Sequence, residues 1–198
     1  MQLDSVAILL NGPPGIGKDA LADIIAKASD VTKMEYKAGL RTATAQRYSV
    51  NQEQADLLFA HRKQKEIPHY AFGNISPRDA LIETDTYLKE THGRSMVGEW
   101  AAQAVRAARV NKGCKNFIFS DSGFLPEAQM VADEVDFLII VQLIHEDFNF
   151  DSDSRDYVYI SGVNSTTVKY HARRGTEEED AKAVLSLVSD ILWENRNK

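Results

Sequence analysis

An α/β fold, a mostly parallel sheet flanked by helices, is what this 198-residue sequence predicts, and three observations predict it. Short apolar runs suited to buried strands alternate with longer stretches whose apolar residues recur every three to four positions. The first such run, Val6-Ala7-Ile8-Leu9-Leu10, passes through the glycine-rich turn Gly12-Pro13-Pro14-Gly15-Ile16-Gly17 directly into a helical pattern. Between the second and third strand-like runs lies a largely helical stretch, 38–112, which reads as an insertion. The length suits one domain over 1–198, and 43% apolar with 26% charged residues is ordinary for a globular chain.

The turn after the first strand carries the chemistry. A strand that bends through close-set glycines into a helix aims several backbone N–H groups at one volume, at the positive end of the helix dipole. That volume suits phosphate. The spacing G-x-x-x-x-G-K from Gly12 to Lys18 is that of the P-loop, in which the lysine reaches the β- and γ-phosphates of ATP. Gly12, Pro13, Pro14, Gly15, Ile16, Gly17, Lys18, Asp19 and Ala20 are therefore the expected ATP-binding set. Where a Ser or Thr hydroxyl usually meets Mg²⁺ the chain has Asp19, a carboxylate able to take the metal directly or through water.

The remaining elements follow in order. Residues 17–28 form a helix with Leu21, Ile24 and Ile25 on its apolar side, and 33–37 alternate as a short second strand. A helix entered at Ala38-Gly39-Leu40-Arg41 ends near Tyr48; Asn51, with Gln54 three residues on, starts another that runs to about His61. Residues 62–75 lack a period and contain Pro68 and Gly73, so they read as a loop. Its Lys63, Lys65, His69, Tyr70 and Phe72 suit either a nucleic-acid contact or a solvated loop with its aromatics tucked inward. Ser76-Pro77-Arg78-Asp79 is a helix start, and that helix runs to about Thr91. A second long helix covers 97–108 and ends near Lys112-Gly113.

A third strand, 116–121, ends on Asp121, placed as a metal- or water-positioning carboxylate would be, or as an ordinary polar strand end. A short helix over 126–133 precedes the most apolar strand, 137–143, which belongs inside the sheet. The acidic stretch 145–155 lacks the Gly and terminal Glu of a calcium loop. Its Arg155 is placed either to stabilise a transferring phosphoryl group or to pair with Asp153 or Asp156. A last strand over 166–171 leads to a helix opened by a Thr176–Glu179 capping box and apolar at Ala183, Leu185, Leu187, Val188, Ile191 and Leu192.

Charge and cysteine usage narrow the classes. A net charge of −6 does not favour sequence-independent attraction to nucleic acid, though a local basic patch is compatible with it. Cys114 is the sole cysteine, so neither an intrachain disulfide nor a thiolate metal cluster is expected. The early apolar run is too short for a signal peptide or a membrane span, and a cytoplasmic location without membrane partners is the expectation.

A P-loop after the first strand and a helical insertion before the third make a nucleoside-monophosphate-kinase-like P-loop NTPase the economical fold. The Gly17-Lys18-Asp19 ending, the Ala38-Gly39-Leu40-Arg41 stretch and the Asp121 strand end resemble the bacteriophage deoxynucleoside monophosphate kinases, in which Asp likewise follows the loop lysine. The resemblance implies transfer of phosphate from ATP to a nucleotide in the cytoplasm, the host's if the chain is phage-encoded. It implies that Lys18 and Asp19 handle ATP and Mg²⁺, with Asp121 a second acid at the metal and the acceptor. Arg41 then lies near the acceptor, Arg78 opens a helix lining the nucleotide pocket, and Arg155 completes the expected catalytic set with Lys18, Asp19 and Asp121.

The chain departs from that family where Ser122 and Gly123 replace an arginine two residues after the strand-end Asp, and on the pocket helix, where only Thr84-Asp85 has a counterpart. Phage kinases that phosphorylate the 5-hydroxymethyl group of hydroxymethyluracil in DNA are similar at the loop, which makes DNA the alternative acceptor. Such an enzyme flips a base and needs a basic groove, which Lys63, Lys65, Arg106, Arg109, Arg173 and Arg174 would supply if they shared a face. A guanine-nucleotide switch is disfavoured, since Asn111-Lys112 continues as Gly113-Cys114 and not as the Asn-Lys-x-Asp element.

Overall fold

In the computed structural model, which describes residues 4–60, 63–93, 95–121, 124–151, 153, 155–160, 162 and 164–196, the sheet is built from five parallel strands. They are β1 (Val6–Asn11), β2 (Thr32–Met34), β3 (Asn116–Phe119), β4 (Phe137–Ile144) and β5 (Ser165–His171), in the order β2-β3-β1-β4-β5. β1 runs between β3 and β4, with Val6 level with Asn116 on one side and Phe137 on the other. Among the described residues seven α-helices accompany them: α1 (Lys18–Ala28), α2 (Lys37–Arg47), α3 (Gln52–Ala60), α4 (Pro77–His92), α5 (Met96–Lys112), α6 (Leu125–Ala132) and α7 (Glu177–Arg196).

Continuous apolar strands are required because both faces of the sheet are covered. Val6, Ile8 and Leu10, with Ile139, Val141 and Leu143, pack on Leu21, Ala22 and Ile25 of α1 and on Ala181, Val184 and Val188 of α7. The alternate residues Ala7, Leu9, Phe117, Phe119, Leu138 and Ile140 meet Val97, Ala101 and Val105 of α5 and Ala128 and Val131 of α6. Each fully buried Val, Leu or Ile contributes roughly 1.5–3 kcal/mol, so a one-residue slip of β1 would expose both sets at once. A smaller third core of Ala45, Ala55, Phe59, Phe72 and Ala80 lies among α2, α3 and α4. Phe59 and Phe72 meet there at 5.6 Å between ring centroids.

Most elements stand where sequence periodicity placed them, and the differences have local causes. β2 ends at Met34 instead of reaching Lys37, because Lys37 already opens α2. The unperiodic stretch contains two 3₁₀ turns, Gln64–Glu66 and Tyr70–Phe72. Its aromatics divide: Phe72 is fully buried, whereas Tyr70 is 76% exposed. The expected end of α3 at His61 and the loop's first residue, Arg62, lie outside the described residues, as do Ser122 and Gly123. Ser76 caps α4, accepting from Asp79 N at 3.1 Å. At α7 the expected box gives way to another arrangement, in which Thr176 donates to Arg173 O at 3.3 Å and Glu179 pairs with the Arg173 guanidinium at 3.1 Å. Among the described residues no helix is long and apolar enough to cross a membrane.

Candidate active site

In a parallel sheet the ligand crevice opens at the carboxyl ends of the strands, where the connections diverge to opposite sides, and here that point is the end of β1. The glycine-rich turn occupies it. Gly15 and Gly17 take φ of 85° and 95°, a left-handed backbone that side chains resist, and this conformation turns the strand into α1 within six residues. Lys18 folds back over the turn and donates from Nζ to Gly12 O at 2.6 Å and Pro13 O at 2.8 Å. Only 9% of it is exposed. Burial, reinforced by the nearby charge of Arg155, lowers its pKa to about 8, against the opposing pull of Asp19.

Asp19 stands exposed in the first turn of α1, and the Ser120 hydroxyl, itself 1% exposed at the end of β3, donates to its Oδ1 at 2.6 Å. Asp121 is turned elsewhere: Oδ1 accepts from Tyr36 N and Oδ2 from Lys37 N, each at 2.9 Å. The two contacts cap α2, whose own N-cap residue, Tyr36, makes no side-chain cap bond.

The start of α2 therefore delivers cations to the crevice. Lys65, half-buried, has its pKa lowered by burial first and then by the charges of Arg41 and Lys37. Arg41 is also paired with Glu35 at 2.7 Å. Arg78 instead sits on the rim, well exposed and paired with Glu66 at 2.9 Å, although its charge is felt by Asp153. Arg155 is held by Asp153 through Nε to Oδ1 at 2.7 Å and Nη2 to Oδ2 at 2.5 Å. This pair is largely buried, and it lowers the Asp153 pKa to about 2. The chain beside Arg155 is pinned to the sheet: Val158 N donates to Asn11 Oδ1 at 2.8 Å, and Gln142 Nε2 donates to Val158 O at 2.9 Å.

Glu127, on α6, completes the surroundings. It is 6% exposed, and burial raises its pKa to about 7, Lys89 and Lys37 opposing while Asp121 and Asp85 add to the rise. The Tyr36 hydroxyl, influenced by both Asp121 and Glu127, is buried without a hydrogen-bond partner among the described residues. On the other flank of the turn a cleft of about 300 Å³ is lined by Pro14, Gly15, His145, Phe148, Arg173 and Arg174, among others. Phe148 and His145 meet edge to face at 5.2 Å.

The structure thus brings Lys18, Asp19, Asp121, Arg155 and Arg41 to one crevice and leaves Arg78 at its rim. Sequence reasoning missed Ser120, Lys37, Asn11, Asp153, Glu127, His145 and Phe148 as parts of this site. Ser120 and Asn11 carried a usable signal, as polar residues ending apolar strands; Glu127 carried none. Of the basic residues considered for a DNA groove, Arg106 and Arg109 bond to Glu134, just ahead of β4 and so at the opposite end of the sheet from the turn.

No family model and no curated protein sequence match the chain. Solved structures do. A putative kinase from Chloroflexus aurantiacus superposes with a TM-score of 0.51 at 11% identity, covering 98% of this chain and 100% of that one. A sugar kinase from Janibacter sp. gives 0.46 at 11% identity over 93% and 95%. Shikimate kinase from Bacteroides thetaiotaomicron gives 0.43 at 12% over 93% and 98%. The first likeness supports the fold, an all-parallel α/β sheet flanked by helices.

Proposed function

We propose that the protein is an ATP-dependent phosphotransferase acting on a nucleotide, with a deoxynucleoside monophosphate as acceptor. The observation that carries this reading is the Lys18 ammonium, buried over a turn of left-handed glycines at the switch point of the sheet, with further cations gathered opposite. Nothing in a tight turn requires a buried amine, whereas a phosphate over the turn is the anionic partner that such an amine lacks. The ATP triphosphate replaces the Gly12 and Pro13 carbonyls as the partner of Lys18, and the cleft at Phe148 and His145 takes the base. The acceptor phosphate is met by Lys37, Arg41 and Lys65, whose mutual repulsion it relieves, and 38–112 is its binding insertion. An acceptor oxygen forms a bond to the γ-phosphorus as the bridging β–γ bond breaks and ADP leaves. Lys18 and Arg155 stabilise the charge that develops between them.

Mg²⁺ fits the donor set. Among the described residues no group of three His, Cys, Asp or Glu converges as a metal cage, and an all-protein cage is not what Mg²⁺ takes, since it keeps waters and phosphate oxygens beside one or two carboxylates. Asp19 would hold it, and bound there it would offset the negative charge of the ATP phosphates.

The second reading, phosphorylation of a hydroxymethyl group in DNA, is favoured by one observation: an alcohol, unlike a phosphate, must lose a proton, and Glu127 is a carboxylate with a pKa of about 7 beside the crevice. One assay separates the two. Labelled ATP is incubated with a panel of deoxynucleoside monophosphates, plain duplex DNA and DNA containing 5-hydroxymethyluracil. The proposal expects label on a mononucleotide with weak salt inhibition. Label on modified DNA alone, with an apparent affinity falling steeply with salt, overturns it in favour of the second reading.

A further inference from the structure

P-loop enzymes hold Mg²⁺ between a Ser or Thr hydroxyl following the loop lysine and an acid at the end of a neighbouring strand. In this chain the residue types at the two places are exchanged. Asp19 follows Lys18, and the strand-end residue that touches it is Ser120, 2.6 Å away through its hydroxyl. The strand-end acid, Asp121, has each oxygen taken by a backbone N–H of the α2 start, Tyr36 N and Lys37 N. Asp19 keeps Oδ2 without a bond among the described residues, on an exposed side chain in the first turn of α1.

We propose that the metal pair is reversed, the carboxylate coming from the loop and the hydroxyl from the strand. Asp19 supplies the protein oxygen to Mg²⁺, Ser120 is its positioning residue, and Asp121 anchors α2 without touching the metal. This rests on the reading of the turn as an ATP site. The geometry explains why both exchanges occur together. A carboxylate at position 19 beside an unpaired carboxylate at position 120 would set two anions face to face, whereas a hydroxyl at 120 donates to Asp19 and fixes its direction. Asp121 is then free to turn its oxygens to α2, which carries Lys37 and Arg41 toward the crevice.

The test uses the full chain and two probes besides turnover. ATP affinity is measured calorimetrically with Mg²⁺ and with chelator, and Mn²⁺ binding to the protein–ADP complex is read by electron paramagnetic resonance. Asp19→Asn should abolish the gain in affinity that Mg²⁺ confers and weaken Mn²⁺ binding about tenfold or more, while metal-free ATP affinity holds. Ser120→Ala should weaken Mn²⁺ binding by roughly threefold to tenfold, and in the Asp19→Asn background it should add nothing, because a positioning residue acts only through its partner. Asp121→Asn should keep the metal dependence and lower the melting temperature. Loss of Mn²⁺ binding in folded Asp121→Asn with retention in Asp19→Asn overturns the assignment. Additive losses at 19 and 120 overturn the role given to Ser120. A wild-type protein that binds no ATP at all refutes the ATP-site reading itself, an outcome distinguishable from either.

Discussion

Binding of ATP should draw a proton onto the protein, and the amount follows from Lys18. Buried over the turn, it has a pKa of about 8 in the free protein. A bound triphosphate replaces its neutral carbonyl partners with anionic oxygens and restores the ordinary high value. At pH 8 the free protein then carries about half a proton less on this group than the complex, and at pH 7 only about a tenth. Affinity for metal-free ATP should accordingly fall about tenfold between pH 7 and pH 9, a range over which an unperturbed lysine would change it hardly at all. Calorimetric titration at pH 8 in buffers of different ionisation enthalpy gives the proton count as the slope of apparent heat against buffer enthalpy. Lys18→Met, which keeps the bulk and removes the charge, should flatten that slope. Tight binding with no uptake at pH 8, or uptake that persists in folded Lys18→Met, would refute the reasoning.

Glu127 gives a stability test of opposite form. Its folded pKa, about 7, lies above the ordinary 4.5, so wild-type stability is lost as pH rises from 4.5 through 7. Glu127→Gln should stabilise the free protein by roughly 1–3 kcal/mol at pH 8 and little at pH 4.5, read from urea melts. Asn11→Ala removes the acceptor for Val158 N, and with it the tie that seats Arg155; a loss of roughly 1–3 kcal/mol in the urea melt and a fall in kcat larger than the change in KM for ATP are expected. Gly98→Ala would put a Cβ 2.7 Å from Glu127 Cα, backbone that cannot yield cheaply, where α5 crosses α6. It should cost roughly 1–3 kcal/mol and lower the melting temperature by several degrees, measured by scanning calorimetry.

What could be read in the sequence was local. The turn from Gly12 to Lys18 is encoded by neighbours along the chain, because glycines must supply positive φ between a strand and a helix, and so its position was legible at once. Ser76 at the head of α4 and Gly113 at the end of α5 belong to the same class. The start of α2 does not. Residues 33–37 alternate like a strand, and the helix begins at Lys37 because a carboxylate 84 residues further on accepts its N–H. No window on the sequence contains both partners. For the same reason the partners of Asp121 were not legible, since an acid at the end of an apolar strand looks alike whether it faces a cation or a helix N-terminus. Arg78 opens a helix as the resemblance implied, yet its guanidinium reaches Glu66 on the rim. A motif fixes where a residue stands along an element and leaves open what its side chain will find there. Glu127 is the limiting case, a glutamate in an unremarkable helical pattern whose raised pKa comes from burial and from the charges of Asp121 and Asp85, against those of Lys89 and Lys37. These charges, with the bonds from Asp121 to Tyr36 N and Lys37 N, couple the strand-end acid, the start of α2 and the buried face of α6. The placement of the cations near Lys18 is therefore a property of the assembled sheet, which the glycine-rich turn alone does not determine.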